Sequence, residues 1–62
     1  MDLRSKMYKA WAIYKKGEWR IEFETEEGLF YLCEDNKYLE FSSQYKAEQY
    51  IRNDKDLELL RR

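Results

Sequence analysis

One cysteine and no histidine in 62 residues decide how this chain can be held together. A lone Cys33 closes no disulfide within the chain, and a thiol without imidazole partners builds no tetrahedral zinc site. A domain this small buries only about 60 % of the surface its unfolded chain exposes. Small domains therefore commonly add a covalent or metal staple. Here apolar packing has to suffice, with self-association as the other resource. Six Tyr, three Phe and two Trp are enough for a dense small core.

Charged residues make up 40 % of the chain and apolar ones 44 %, a balance that speaks against wholesale disorder. The expectation is one domain over residues 1–62, with 1–6 as a flexible N-terminus. No apolar run approaches the roughly 18 residues of a membrane helix. Met1-Asp2-Leu3-Arg4-Ser5-Lys6 has no apolar stretch behind its charges, so it does not read as a signal peptide. A single free thiol fits a reducing compartment, and the expected location is cytoplasmic.

Four short segments rich in aromatic and β-branched residues follow one another: Met7 to Lys15, Glu18 to Thr25, Leu29 to Glu34 and Lys37 to Phe41. Lys16-Gly17, Glu27-Gly28 and Asp35-Asn36 separate them. Gly and Asn tolerate the positive φ that tight hairpin turns need. Three such turns in succession predict a four-stranded antiparallel meander. A two-residue first turn pairs Lys15 with Glu18, Ala12 with Ile21, Ala10 with Phe23 and Lys9 with Glu24. Small residues then face large ones and opposite charges meet, pairs that contribute roughly 0.2–1 kcal/mol each. The second turn is expected to pair Thr25 with Phe30 and Glu22 with Cys33. The third is expected to pair Glu34 with Lys37 and Cys33 with Tyr38.

In this register Tyr8, Ala10, Ala12, Tyr14, Trp19, Ile21, Phe23, Phe30, Leu32, Leu39 and Phe41 share one face. That face needs a lid. Ser42-Ser43 offers N-cap hydroxyls, and Gln44 to Asn53 reads as a helix with Ala47, Tyr50 and Ile51 on one stripe. Lys46, Glu48, Gln49 and Arg52 are assigned to its outer side. Residues 57–61, beginning with alternating Leu57 and Leu59, read as a short fifth strand antiparallel to the first, or else as a second helical turn. The predicted class is α+β, a four-stranded antiparallel meander with one C-terminal helix on one face.

The other sheet face collects Lys9, Trp11, Ile13, Lys15, Arg20, Glu22, Glu24, Leu29, Tyr31, Cys33, Tyr38 and Glu40. A half-solvated sheet normally alternates apolar-in with polar-out. Here Trp11, Ile13, Leu29, Tyr31 and Tyr38 interrupt the polar side, and contiguous exposed apolar area tends to mark an interaction site. Lys9, Trp11, Ile13, Arg20, Glu22, Glu24, Tyr31, Tyr38 and Glu40 are the candidate partner-binding residues. The bland alternative is that Met1, Leu3 and Met7, or the C-terminal leucines, fold over this face.

Catalytic readings are poor. The commonest general base, His, is missing, and Cys33 has no His to activate it. On an inner strand between Glu22 and Tyr38, Cys33 is expected to be structural. Two isolated Gly make no phosphate loop. The expectation is a non-enzymatic protein that uses no cofactor and no metal. Residues 17–40 carry two basic against eight acidic residues, a net charge of -6. The turns Glu26-Glu27 and Glu34-Asp35 read as solvated charge that blocks edge-to-edge aggregation, or as a dock for a basic partner.

Strands followed by Phe41-Ser42-Ser43-Gln44-Tyr45-Lys46-Ala47-Glu48-Gln49-Tyr50-Ile51 resemble the N-terminal arm-binding domain of tyrosine integrases over about residues 8–51. That resemblance implies a sheet entering a DNA groove with a helix behind it, and Lys9, Trp11, Lys15, Arg20 and Tyr31 as a base-stacking platform. Arg4, Lys6 and Arg61-Arg62 would add a small basic rim. The acidic Glu22 and Glu24 on the second strand weigh against phosphate contact. The favoured reading is a protein-binding module, whether regulator, inhibitor or adaptor, of the kind found among phage and mobile-element accessory proteins. Its partner is a different protein or a second copy of the chain, and membrane binding is not expected.

Overall fold

The computed structural model describes residues 8–60. The N-terminal stretch read as flexible, the candidate covers Met1, Leu3 and Met7, and the basic rim residues Arg4, Lys6 and Arg61-Arg62 lie outside the described residues. Strands β1 (Tyr8–Lys15) and β2 (Glu18–Thr25) form the first hairpin. Lys16 and Gly17 at its turn take φ of 54° and 82°. Both positive values match the primed turn that a twisted hairpin favours. The register is the expected one throughout, from Lys15 opposite Glu18 to Lys9 opposite Glu24.

Strand β3 (Gly28–Tyr31) pairs antiparallel with β2, but two residues away from the expected register. Thr25 faces Gly28, Phe23 faces Phe30 and Glu22 faces Tyr31. The turn is Glu26-Glu27, and Gly28 is inside the strand with φ of 132°, a backbone state that side chains other than hydrogen rarely adopt. The Thr25 hydroxyl supports this turn, accepting from Glu27 N–H at 3.1 Å and donating to Gly28 O at 3.3 Å. Because the shift is even, every side chain of β3 keeps its expected face.

The expected fourth strand does not join this sheet. Strands β4 (Cys33–Glu34) and β5 (Lys37–Tyr38) make a separate two-stranded ribbon. Its own register, Cys33 opposite Tyr38 and Glu34 opposite Lys37, is the expected one. Asp35 and Asn36 close it with φ of 55° and 67°. Beyond the ribbon the chain reverses once more, and Phe41 exchanges two backbone hydrogen bonds with Trp19 at 3.0 and 2.7 Å. The ribbon is thus an excursion from the outer edge of β2.

That extra reversal explains a second correction. Phe41 runs antiparallel to β2 and so in the direction of β1. Helix α1 (Gln44–Asn53) then carries the chain back, and β6 (Leu57–Leu59) emerges parallel to β1 rather than antiparallel to it. Parallel neighbours need such a crossover. The result is an α+β fold with a mixed four-stranded sheet, order β3-β2-β1-β6, and one helix.

Ser43 caps α1, its hydroxyl accepting from Lys46 N–H at 3.2 Å. The helix buries Ala47, Glu48 and Ile51. Glu48 therefore faces inward, contrary to the expected outer side, with the Gln44 amide donating to it at 3.1 Å. Tyr50 is only half-buried and packs its ring on Phe41 at 5.6 Å. Burial, then the charges of Glu34 and Asp54, push its phenol above the usual tyrosine range.

Ala10, Ile21, Ala47, Ile51 and Leu57 form the core, with Tyr8, Ala12, Trp19, Phe23, Leu32, Phe41, Tyr50 and Leu59 packed around it. Ile21 and Ile51 are its largest fully buried side chains. Truncating Ile51 to Ala should destabilise the fold by about 2–5 kcal/mol through lost burial and a residual cavity. Urea unfolding followed by tryptophan fluorescence measures this as a lower midpoint.

Candidate functional site

The face opposite the helix is built on β1, β2, β3 and the ribbon. The central row across it is Trp11, Glu22 and Tyr31, in place of the expected Trp11, Glu22, Cys33 and Tyr38. Lys9, Glu24 and Leu29 form the row beside it, and Ile13 sits opposite Arg20. Lys9, Glu24 and Leu29 are exposed, and Ile13 is half-buried.

Trp11 corrects the expectation of an open aromatic surface, because only 6 % of it is exposed. Pairing of β6 with β1 makes β1 an inner strand with neighbours on both sides. The indole Nε1–H donates to Glu22 Oε1 at 2.8 Å, which satisfies the one polar group of the ring. Trp11 is thus part of the foundation of this face. Cys33 also departs from expectation. It lies exposed on the ribbon, where its thiol donates to Tyr31 O at 3.5 Å.

Tyr31, Tyr38, Arg20, Lys15 and Glu40 form the outer layer. The rings of Tyr31 and Tyr38 meet edge to face with centroids 5.6 Å apart. Arg20 places its guanidinium 4.7 Å from the Tyr38 ring centre and donates from Nη2 to Glu40 Oε2 at 3.2 Å. Its side chain is only 13 % exposed. With Tyr38 half exposed and Arg20 largely covered, the cation–π contact is worth about 0.5–2 kcal/mol, and the partly exposed ion pair contributes about 0–1 kcal/mol. Ring and carboxylate together fix the ribbon against the sheet. Lys15 closes the other end, donating from Nζ to the Tyr31 hydroxyl at 3.0 Å, with the ammonium 5.3 Å from the ring centre. Its pKa is raised, first by this hydrogen bond and then by the charge of the Tyr31 oxygen.

Of the expected binding residues, Arg20, Tyr31, Tyr38 and Glu40 come together directly. Trp11 and Glu22 lie beside them as a hydrogen-bonded pair, and Lys9 and Glu24 are a row away. Lys15 belongs to the cluster through its bond to Tyr31, a partnership that the expected second-turn register concealed. Along the ribbon runs a concavity of about 850 Å³ lined by Cys33, Asp35, Asn36, Lys37, Tyr38 and Glu40. Among the described residues no group of three or more Cys, Asp or Glu is disposed to hold a metal ion. What the face offers chemically is ordered rings, a guanidinium, an ammonium and carboxylates.

Comparison with protein-family models, curated proteins and solved structures yields no match. No helix among the described residues is long and apolar enough to cross a membrane.

Two outcomes check this geometry. Trp11→Ala should cost about 3–5 kcal/mol of folding stability, as large aromatic truncations in a packed site do, and thermal unfolding by circular dichroism reads it. Tyr31→Phe removes the hydroxyl that raises Lys15, so the ammonium should titrate at lower pH than in the parent protein. A raised pKa stabilises the fold below the ordinary lysine range, and that contribution is lost as pH climbs through the folded value. The variant should therefore lose less stability across that alkaline window, and NMR titration of Lys15 follows the pKa itself.

Proposed function

We propose that this protein is a small non-enzymatic protein-binding module, a regulator, inhibitor or adaptor that docks through the sheet face opposite its helix. The observation that carries the reading is the setting of Tyr38. Half of this tyrosine is exposed (51 %), yet its ring is held by the Arg20 guanidinium and the edge of Tyr31. A large side chain already ordered before binding loses little entropy on association. Tyrosine and arginine are also the residue types that most often dominate binding energy. Ile13 supplies apolar area beside them, and Lys15, Glu40, Lys9 and Glu24 give the rim charges of both signs, which favours a protein surface over a phosphate backbone.

Tyr38→Ala separates binding from folding. The residue lies on the ribbon, outside the core, so the fold should survive while a bound partner is weakened by about 2 kcal/mol or more, the usual hot-spot threshold. Capture from host lysate with the parent protein and the variant in parallel measures this. A protein retained by the parent and released by the variant supports the reading. If the two retain the same proteins, or if retention is of single-stranded oligonucleotide that falls steeply with salt, the reading is wrong.

A further inference from the structure

The helix packs chiefly on β1, β6 and β2. At the β3 end of the same sheet face, Tyr8, Phe23 and Phe30 form an aromatic row, with ring centroids 5.6 Å and 6.0 Å apart. Phe30 is 43 % exposed there. These three rings, with Glu24, Thr25, Glu26 and Glu27, line a concavity of about 810 Å³. The rings lie on the opposite side of the sheet from Tyr38 and Arg20, and Glu24 reaches the concavity from that other side.

The concavity adjoins an open strand edge. Leu32 N–H donates to Ile21 O at 2.8 Å. Bonded and non-bonded pairs alternate along an antiparallel ladder. In this register the main-chain groups of Gly28 and Phe30 face β2, and those of Leu29 and Tyr31 point outward. No strand among the described residues pairs with that outer side. Leu29, 54 % exposed, stands on the other face of the same edge. Tyr31 O already accepts from the Cys33 thiol, which leaves the Leu29 N–H and C=O and the Tyr31 N–H as the groups an added strand would meet, and such an edge with exposed apolar side chains is a template for one.

Charge selects what can be added. Glu26 and Glu27 stand at the mouth of the concavity, and no ion pair among the described residues engages them. A basic segment complements these carboxylates, whereas a second copy would bring to them a region of the same sign, since residues 17–40 carry two basic residues against eight acidic ones.

We propose that the β3 edge accepts an extended segment of a partner protein bearing basic residues, which adds a strand to the sheet and lays apolar side chains on Tyr8, Phe23 and Phe30. The concavity shares only Glu24 with the surface used by the proposed function.

The test is an NMR titration of the full chain, isotopically labelled, with a synthetic peptide alternating lysine with phenylalanine and with its glutamate counterpart. The lysine peptide should shift the signals of Gly28 to Tyr31, Tyr8 and Phe23 and slow amide exchange at Leu29 and Tyr31 by about tenfold or more. The glutamate peptide should leave them unchanged. Glu26→Lys combined with Glu27→Lys, both at an exposed turn, should weaken the lysine peptide by about tenfold, while Tyr38→Ala should leave its binding intact. Equal binding of the two peptides, no binding of either, or shifts centred on Tyr38 and Arg20 would overturn the proposal. So would protection of the Leu29 and Tyr31 amides in the free protein, whether by its own terminal residues or, if it grows with concentration, by a second copy.

Discussion

Ala10 on the sheet and Ala47 on the helix are both fully buried, and their small side chains let the two layers approach closely. Ile21 and Ile51 then fill the space on either side, and Leu57 closes it from the strand that follows the helix. Everything else is arranged around that contact. A helix of ten residues is about 15 Å long and 10–12 Å across. Strands lie about 4.8 Å apart, so such a helix covers about three of them. With β6, β1 and β2 beneath it, β3 falls beyond its reach, and Phe30 is left half in water.

The same limit fixes the topology. With one cysteine and no histidine, the chain draws its stability from packing and needs an inner strand on which to centre its core, and β1 becomes one only when β6 docks on its free edge. β6 can do so in parallel only because the helix returns the chain across the sheet. On the far face of this inner strand Trp11 is nearly fully buried, with its indole held by Glu22.

What the sequence made legible follows from how local each determinant is. The first hairpin could be paired residue by residue, since Lys16-Gly17, the small–large pairs Ala10–Phe23 and Ala12–Ile21, and the opposite charges of Lys9 and Glu24 all agree on one register. The second turn could not. Glu26-Glu27 carries no residue with a special backbone preference, and sliding β3 by two positions leaves its alternation of faces unchanged. Asp35-Asn36 announced the ribbon correctly, yet nothing in a local pairing states which neighbour the ribbon must leave. The direction of β6 depended on one extra reversal before Phe41, which is a tertiary fact. Most of the residues of the candidate face were therefore visible as a set, but the burial of Trp11, the exposure of Cys33 and the bond from Lys15 to Tyr31 were not.

Arg20 links these outcomes. It sits on β2 between the backbone bonds to Leu32 and to Phe41, at the place where the edge chain departs and returns. A departure of this kind leaves a gap in the ladder that some side chain has to fill. Arg20 fills it by lying against Tyr38 and reaching Glu40. Its Nε, buried without a hydrogen-bond partner, is a cost of that placement, on the order of 1–3 kcal/mol. The cation–π contact offsets a loss of that size only if the ring of Tyr38 stays where it is. The residue that closes the gap in the sheet is therefore also the one that holds an exposed tyrosine in a fixed orientation, so the irregularity in the ladder and the order of the surface above it have one cause.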